Sequence, residues 1–378
     1  MSSHLFSPLT QRSVTLPNRI VMPPMAQYSA KDGVAQEWHT AHYGKMAQGG
    51  VGTIIVESTS ISFQGHGTYG DLGIWNDEQA DALARIAQLI ASFGTVPGIQ
   101  LGHAGRKAGL QRAFHGYGYL DETDKARGEE PWEVVGPSAI PFADGALMPT
   151  ELNDAQIEAI FDDWVAAAQR AARAGFKVLE VHAAHGYLLN QFLSPLSNHR
   201  DDQWGGDAQR RMAFPLEVVR RVRAAWPEEL PLWVRVSAID DTDGGRTIED
   251  TVEFARQLKA LGVDAVHNST GGWSQSPGFR SLTPAPGFQV PFAEAVKKEA
   301  GIASVAVGLI TDAHQAEAII AEGKADLVAI GRELLVDPNW AHKARAALVG
   351  TGFDEWPPQY GWWLSKRRPV SEPVTEAA

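Results

Sequence analysis

Short runs of apolar and β-branched residues recur along this chain. Each is followed by a longer stretch whose apolar positions return at helical spacing, an alternation that predicts a parallel sheet wrapped by helices. Eight such runs occur: Asn18 to Met25, Val51 to Ser58, Val96 to Leu101, Lys177 to His182, Leu232 to Ser237, Ala265 to Ser269, Ala303 to Val307 and Ala325 to Ile330. Between them, Asn76 to Phe93 sets Ala80, Leu83, Ile86, Ala87, Ile90 and Phe93 on one helical face, and Asp154 to Ala174 repeats the theme. Gly94 and Gly175 stand where helices end, as do Gly262 after Thr247 to Leu261 and Gly323 after Thr311 to Ala321. Eight parallel strands are the number that closes a barrel. The prediction is therefore an α/β fold, a single (β/α)8 TIM barrel over residues 1–350. Two segments interrupt its rhythm: a capping loop over residues 110–142 after the third strand, and a Trp- and Pro-rich tail over residues 351–378 whose end is expected to be disordered.

Composition narrows the function more than the fold. At 378 residues with 44% hydrophobic content, the chain can bury a large core. A formal net charge of −12 argues against binding nucleic acid or an anionic membrane, both of which need basic surface, and favours a small-molecule partner. With no cysteine, disulfides, cysteine-ligated iron–sulfur clusters and thiolate chemistry are excluded. The first residues show no basic patch followed by an apolar run, and no membrane-length apolar stretch occurs, so a cytoplasmic location is expected.

Barrel chemistry sits at the C-terminal ends of the strands. There the fourth run leads into His182-Ala183-Ala184-His185-Gly186-Tyr187, two imidazoles and a phenol at one rim. Two readings stand. Paired histidines are common zinc ligands, and Glu180 shares the face of His182 by strand alternation, which would suit a metal-dependent hydrolase. Alternatively, the imidazoles hold and polarise a carbonyl or phenolate oxygen while Tyr187, a phenol that ordinarily stays protonated at neutral pH, acts as general acid. A third possibility, a barrel that binds ligands without catalysis, would leave Tyr187 idle.

Several segments together resemble the old yellow enzyme family. These are Asn18-Arg19-Ile20-Val21-Met22, Gly98-Ile99-Gln100-Leu101 with His103-Ala104-Gly105-Arg106-Lys107, the His182 to Leu188 motif, Phe192 to Arg200, Trp204-Gly205-Gly206, Val234-Arg235-Val236-Ser237 and Ala329-Ile330-Gly331-Arg332-Glu333. The resemblance runs from about Phe6 to Leu348, and its wording is most similar to the bacterial thermophilic-like or xenobiotic-reductase-like branch. Larger flavin barrels of the dienoyl-CoA reductase or trimethylamine dehydrogenase type continue into a cysteine-ligated cluster, which this chain has no residues to build.

The resemblance implies a non-covalently held flavin mononucleotide (FMN) reduced by NADPH, or by NADH. It assigns the phosphate to Gly308, Gly331 and Arg332, the ring edge to Gln100, and the flavin N1 and C2 oxygen to Arg235. Pro24, Met25, Ala26 and Ser58 would contact the ring and ribityl chain, and Tyr28 the substrate. His182 and His185 would hold the carbonyl of an enone or a related nitro compound, and Tyr187 would protonate its α-carbon, making the enzyme an ene-reductase. Ala26 departs from the branch, which usually has cysteine there; an intact fold with altered redox potential or substrate handling is the expected result. The tail resembles the subgroup with tryptophan, so Trp363 would either wall the flavin of a neighbouring subunit in a homodimer or homotetramer, or anchor the tail on its own barrel. No Gly-rich dinucleotide fingerprint is present, which agrees with NADPH docking over the flavin.

Overall fold

A computed structural model describes residues 3–272 and 281–367. The expectation for the end of the tail falls outside the described residues. Eight parallel strands close on themselves: β1 (Ile20–Met22), β2 (Thr53–Ser60), β3 (Val96–Gly102), β4 (Val178–Ala183), β5 (Leu232–Ser237), β6 (Ala265–Ser269), β7 (Ala303–Ala306) and β8 (Leu327–Ala329), with β8 pairing back to β1. The expected (β/α)8 barrel is the observed one.

Helices follow the strands in order: α1 (Glu37–Gln48), α2 (Asp77–Ser92), α3 (Asp154–Arg173), α4 (Ala208–Ala225), α5 (Ile248–Ala260), α6 (Val290–Ala295), α7 (Ala313–Ala321) and α8 (Trp340–Val349). Polar residues at their starts explain where several begin. Asn76, Asn153, Asp207, Thr247 and Asp312 each accept a backbone N–H from the first turn, a contribution of about 1 kcal/mol per cap. The apolar faces of α2 and α3 (Leu83, Ile86 and Ile90; Phe161 and Trp164) are buried against the strands. Each such side chain stabilises the fold by roughly 1.5–3 kcal/mol.

An N-terminal hairpin (Leu9–Gln11 with Val14–Leu16), not anticipated from the sequence, closes the lower end of the barrel. Trp233 Nε1, buried inside β5, donates to Gln11 Oε1 at 2.7 Å, and Arg12 Nε bonds both carboxylate oxygens of Asp264 at 2.8 Å. The tail docks at the same end. Trp356 stacks on His342 with ring centroids 4.7 Å apart, and Tyr360 Oη donates to Gln48 Oε1 at 3.2 Å. The upper end is dressed instead by long connections. Residues 110–142 contain short helical pieces at Ala113–His115 and Glu122–Lys125 and a two-residue strand, Val135–Gly136, paired with Thr150–Glu151, and Arg106 secures their end by donating to the carbonyls of Ile140 and Pro141. Among the described residues no helix is long and apolar enough to cross a membrane.

Candidate active site

Strand β4 delivers His182 to the rim, and the chain then turns sharply, with φ of +58° at His185 and +74° at Gly186. Glycine is required at the second position: an added Cβ would stand 2.5 Å from the carbonyl oxygen of Gly272. Tyr187 opens a short helix, Leu188–Leu193, whose polar side chains staple the turn. Asn190 Oδ1 accepts the Gly186 N–H at 2.8 Å, and Gln191 Nε2 donates to the carbonyls of Gly186 and Ala104. From β3 the Lys107 ammonium donates to the carbonyls of His185 and Gly272, both at 3.0 Å, tying three strand ends together. Left-handed backbone at a non-glycine residue costs on the order of 1–3 kcal/mol, so this bracing is what keeps His185 in place.

The three rings converge. His182 lies 5.2 Å from His185 and 4.6 Å from Tyr187 between centroids. Burial first, then the positive charge of Arg235, hold both imidazoles well below the usual histidine range, so they are neutral at physiological pH. His182 Nδ1 takes the N–H of Ala184 at 3.3 Å, which leaves its proton on Nε2. His185 pairs Nε2 with the Ser269 hydroxyl at 2.9 Å, and its backbone N–H donates to Ser237 Oγ. Burial, reinforced by Asp71, Tyr117 and Tyr28, raises the Tyr187 phenol well above its ordinary value, so it keeps its proton. Burial also raises Asp71 to about 6 and lowers Lys107 to about 8.

Below the histidines the barrel interior carries a polar floor. The strand register sets Gln100 beside Glu180, and His182 beside Arg235 beside His267. Glu180 Oε1 accepts from Gln100 Nε2 and Oε2 from His267 Nδ1, each at 2.8 Å. Arg235 is buried, and its Nε has no hydrogen-bond partner. Beside this floor, at the ends of β7 and β8, a cavity of about 630 Å³ is lined by Gln289, Gly308, Leu309, Gly331 and Arg332 among others. At Gly308 (φ +115°) a Cβ would press on Gln289 at 3.0 Å. Arg332 forms no ion pair among the described residues, and a Cβ on Gly331 would sit 3.7 Å from Met25 Sδ.

Most sequence-predicted positions gather around this floor. Pro24 and Met25 are half-buried just after β1, while Ala26 is exposed. Ser58 stands at the irregularity of β2 between Val56 and Thr59, facing Gly102. Tyr28, with φ +51°, meets Phe114 of the capping loop edge-on, at a centroid distance of 6.4 Å. Trp363 is not brought there: it lies in the tail helix Pro358–Leu364, docked at the opposite end of the barrel, and is 69% exposed. Glu180 is drawn away from any role beside His182 and His185 by its two donors. Among the described residues no group of three His, Cys, Asp or Glu is arranged to hold a metal. Sequence reasoning missed the bracing by Ser237, Ser269 and Asn190, and it missed His267, whose only signal is an imidazole inside an apolar strand.

The residues present fit FMN. A buried guanidinium whose Nε lacks an acceptor calls for an anionic or strongly accepting ligand, and a glycine-lined cavity whose arginine forms no ion pair among the described residues suits a phosphate. Comparison with known proteins agrees. Residues 4–349 match the model of the NADH:flavin oxidoreductase / NADH oxidase family. An NADPH dehydrogenase of Geobacillus thermodenitrificans is 44% identical over 371 residues, covering 96% of this chain and 99% of that protein. Among solved structures, morphinone reductase superposes with a TM-score of 0.76 at 28% identity, over 91% of this chain and 90% of that one. A 2-naphthoyl-CoA reductase superposes with a TM-score of 0.80 at 25% identity, and the chain spans only 53% of its length. The chain belongs to the NADH:flavin oxidoreductase / NADH oxidase family, the old yellow enzymes, and is an NAD(P)H-dependent oxidoreductase that uses FMN.

Proposed function

We propose that this enzyme reduces carbon–carbon double bonds conjugated to a carbonyl or nitro group, with Tyr187 as the proton donor. The observation that carries the reading is the convergence of two neutral imidazoles and one protonated phenol at the strand ends, with His182 in register beside the buried Arg235, whose Nε has no hydrogen-bond partner. When bound, FMN supplies the redox chemistry, taking a hydride from NADPH and giving it to the electron-poor carbon. The chain's own residues do the rest.

His182, with its proton on Nε2, and His185, whose Nδ1 no described residue engages, hold the substrate oxygen as neutral donors. Their hydrogen bonds strengthen as that oxygen gains negative charge, which favours the transition state over the bound enone. Tyr187 holds its proton until the α-carbon becomes basic, then transfers it. Arg235 would help to hold a bound flavin and would stabilise negative charge on it. Burial, with the Asp71 carboxylate second, keeps the Tyr187 phenol neutral.

The exposed tail tryptophans suit a homodimer or higher oligomer in which Trp363 walls a neighbour's site. Trp362 and Trp363 are 56% and 69% exposed at the end of the barrel remote from their own rim. The test of the main reading is an anaerobic titration: NADPH should bleach the flavin band, and 2-cyclohexenone should restore it with one equivalent of cyclohexanone formed. Bleaching without recovery by any enone or nitroalkene would remove the ene-reductase assignment.

A further inference from the structure

The floor of the site contains a carboxylate that the proposed reaction does not use. Glu180 is fully buried and reaches across the barrel interior, from β4 to Gln100 on β3 and to His267 on β6. An ionised carboxylate has only acceptors to offer. Gln100 must therefore give it the NH2 end of its amide, at 2.8 Å, and the amide oxygen is turned away from Glu180. Glutamine amides are nearly symmetric in shape, and without a fixed partner either end can face a ligand. His267 holds the other carboxylate oxygen at 2.8 Å, so the carboxylate is itself locked in rotation.

We propose that Glu180 is a positioning residue that fixes the hydrogen-bond polarity of the flavin floor. It compels Gln100 to present an acceptor to the ring edge. An isoalloxazine has one donor on that edge, the N3–H, flanked by two carbonyl acceptors. A fixed amide oxygen matches the N3–H, whereas a flipped amide would set donor against donor. The Glu180–His267 pair thus selects a flavin with a free N3–H and holds the ring in one register over Arg235. The proposal rests on FMN binding and not on Tyr187 as acid, so it stands or falls separately from the ene-reductase reading.

The test compares FMN with 3-methyl-FMN, which lacks the N3 proton, in reconstitution of the apoprotein followed by flavin fluorescence quenching. Wild-type protein should prefer FMN by roughly tenfold or more, as expected when a buried acceptor loses its donor. Gln100→Leu should abolish that preference. Glu180→Met, which leaves the Gln100 amide free to flip, should reduce it most of the way to the Gln100→Leu value. A Glu180→Met protein that binds both flavins more weakly but with an unchanged ratio overturns the proposal, because that is the signature of a purely structural role. If Gln100→Leu leaves the preference intact, the contact of Gln100 with the ring edge is wrong instead. Should Glu180→Met not fold, wild-type holoprotein loaded with 15N-labelled FMN decides: a slowly exchanging N3–H supports the proposal, and exchange as fast as in free FMN overturns it.

Discussion

The two ends of the barrel are built from the same strands yet follow opposite rules. At the lower end, long polar side chains find partners within the chain: Trp233 meets Gln11, Arg12 meets Asp264, and the tail lies across the opening, although Arg12 is itself left-handed and the Thr53 and Ser304 hydroxyls have no hydrogen-bond partner among the described residues. At the upper end, Tyr28, Tyr117, His185, Asp241 and Leu309 all take left-handed backbone, and polar atoms of Arg235 and His267 have no partner. The lower end is held mainly by contacts within the chain and supplies stability. The upper end stores strain and leaves hydrogen-bonding capacity open, which is what a site made for a ligand requires.

The contrast is sharpest for three residues above and below the same floor. Tyr187→Phe should slow reoxidation of the reduced enzyme by 2-cyclohexenone about 10²-fold to 10⁴-fold, the usual worth of a general acid, while reduction by NADPH keeps its rate in stopped-flow traces. Trp233→Ala, at the lower end of β5, should cost about 3–5 kcal/mol in urea melts through the cavity it leaves, with little change in turnover per folded molecule. Arg235→Met, two residues further along the same strand, should reverse that pattern. Apoprotein stability should change little, because the burial of the charge, only partly offset by Glu180, is relieved, while FMN affinity falls by about 1.5–3 kcal/mol in reconstitution titrations. If Trp233→Ala and Arg235→Met behave alike, the division between the ends is wrong.

Smaller effects probe the strained rim. Gly186→Ala should cost about 1–3 kcal/mol of stability, from the positive φ and the collision with the Gly272 carbonyl, and should lower enone turnover by displacing His185. Asp71 is the mildest test. Burial raises its pKa to about 6, above the ordinary aspartate value, so its protonated form is favoured by the fold. The corresponding stability is complete below the unfolded value and is lost as pH rises through about 6. Asp71→Asn removes this dependence. Relative to the variant, wild type should lose on the order of 2 kcal/mol between pH 4 and pH 7 and little beyond. A difference between the two melts that does not change with pH would refute the assignment.

The barrel strands were legible because each is short, apolar and followed by a periodic helix. The runs Leu232 to Ser237 and Ala265 to Ser269 are the observed strands, and the others agree within a few residues. The strand ends blur where structure depends on contacts rather than pattern: Asn18 and Met25 flank a β1 that spans only Ile20–Met22. The N-terminal hairpin escaped notice because its three-residue strands carry too few alternations to register, although Leu9, Gln11, Val14 and Leu16 follow one.

At the site, the histidine pair and Tyr187 stood out by residue type at a strand end. The bracing around them did not, since Lys107, Ser237 and Ser269 come from three other strands and only folding makes them neighbours. Trp363 shows the limit on the other side. Its position in the tail says nothing of which end of the barrel the tail will reach.

The most direct test of the central claim follows the two hydrogens separately. Wild-type protein is reduced with NADPH deuterated at the transferred position, mixed with a β-substituted cyclic enone in ordinary water, and the product is read by NMR; the experiment is then repeated with unlabelled NADPH in D2O. The account predicts deuterium at the β-carbon in the first case and at the α-carbon, on the opposite face, in the second. Deuterium at the carbonyl carbon, or no reduced alkene in either experiment, would contradict it.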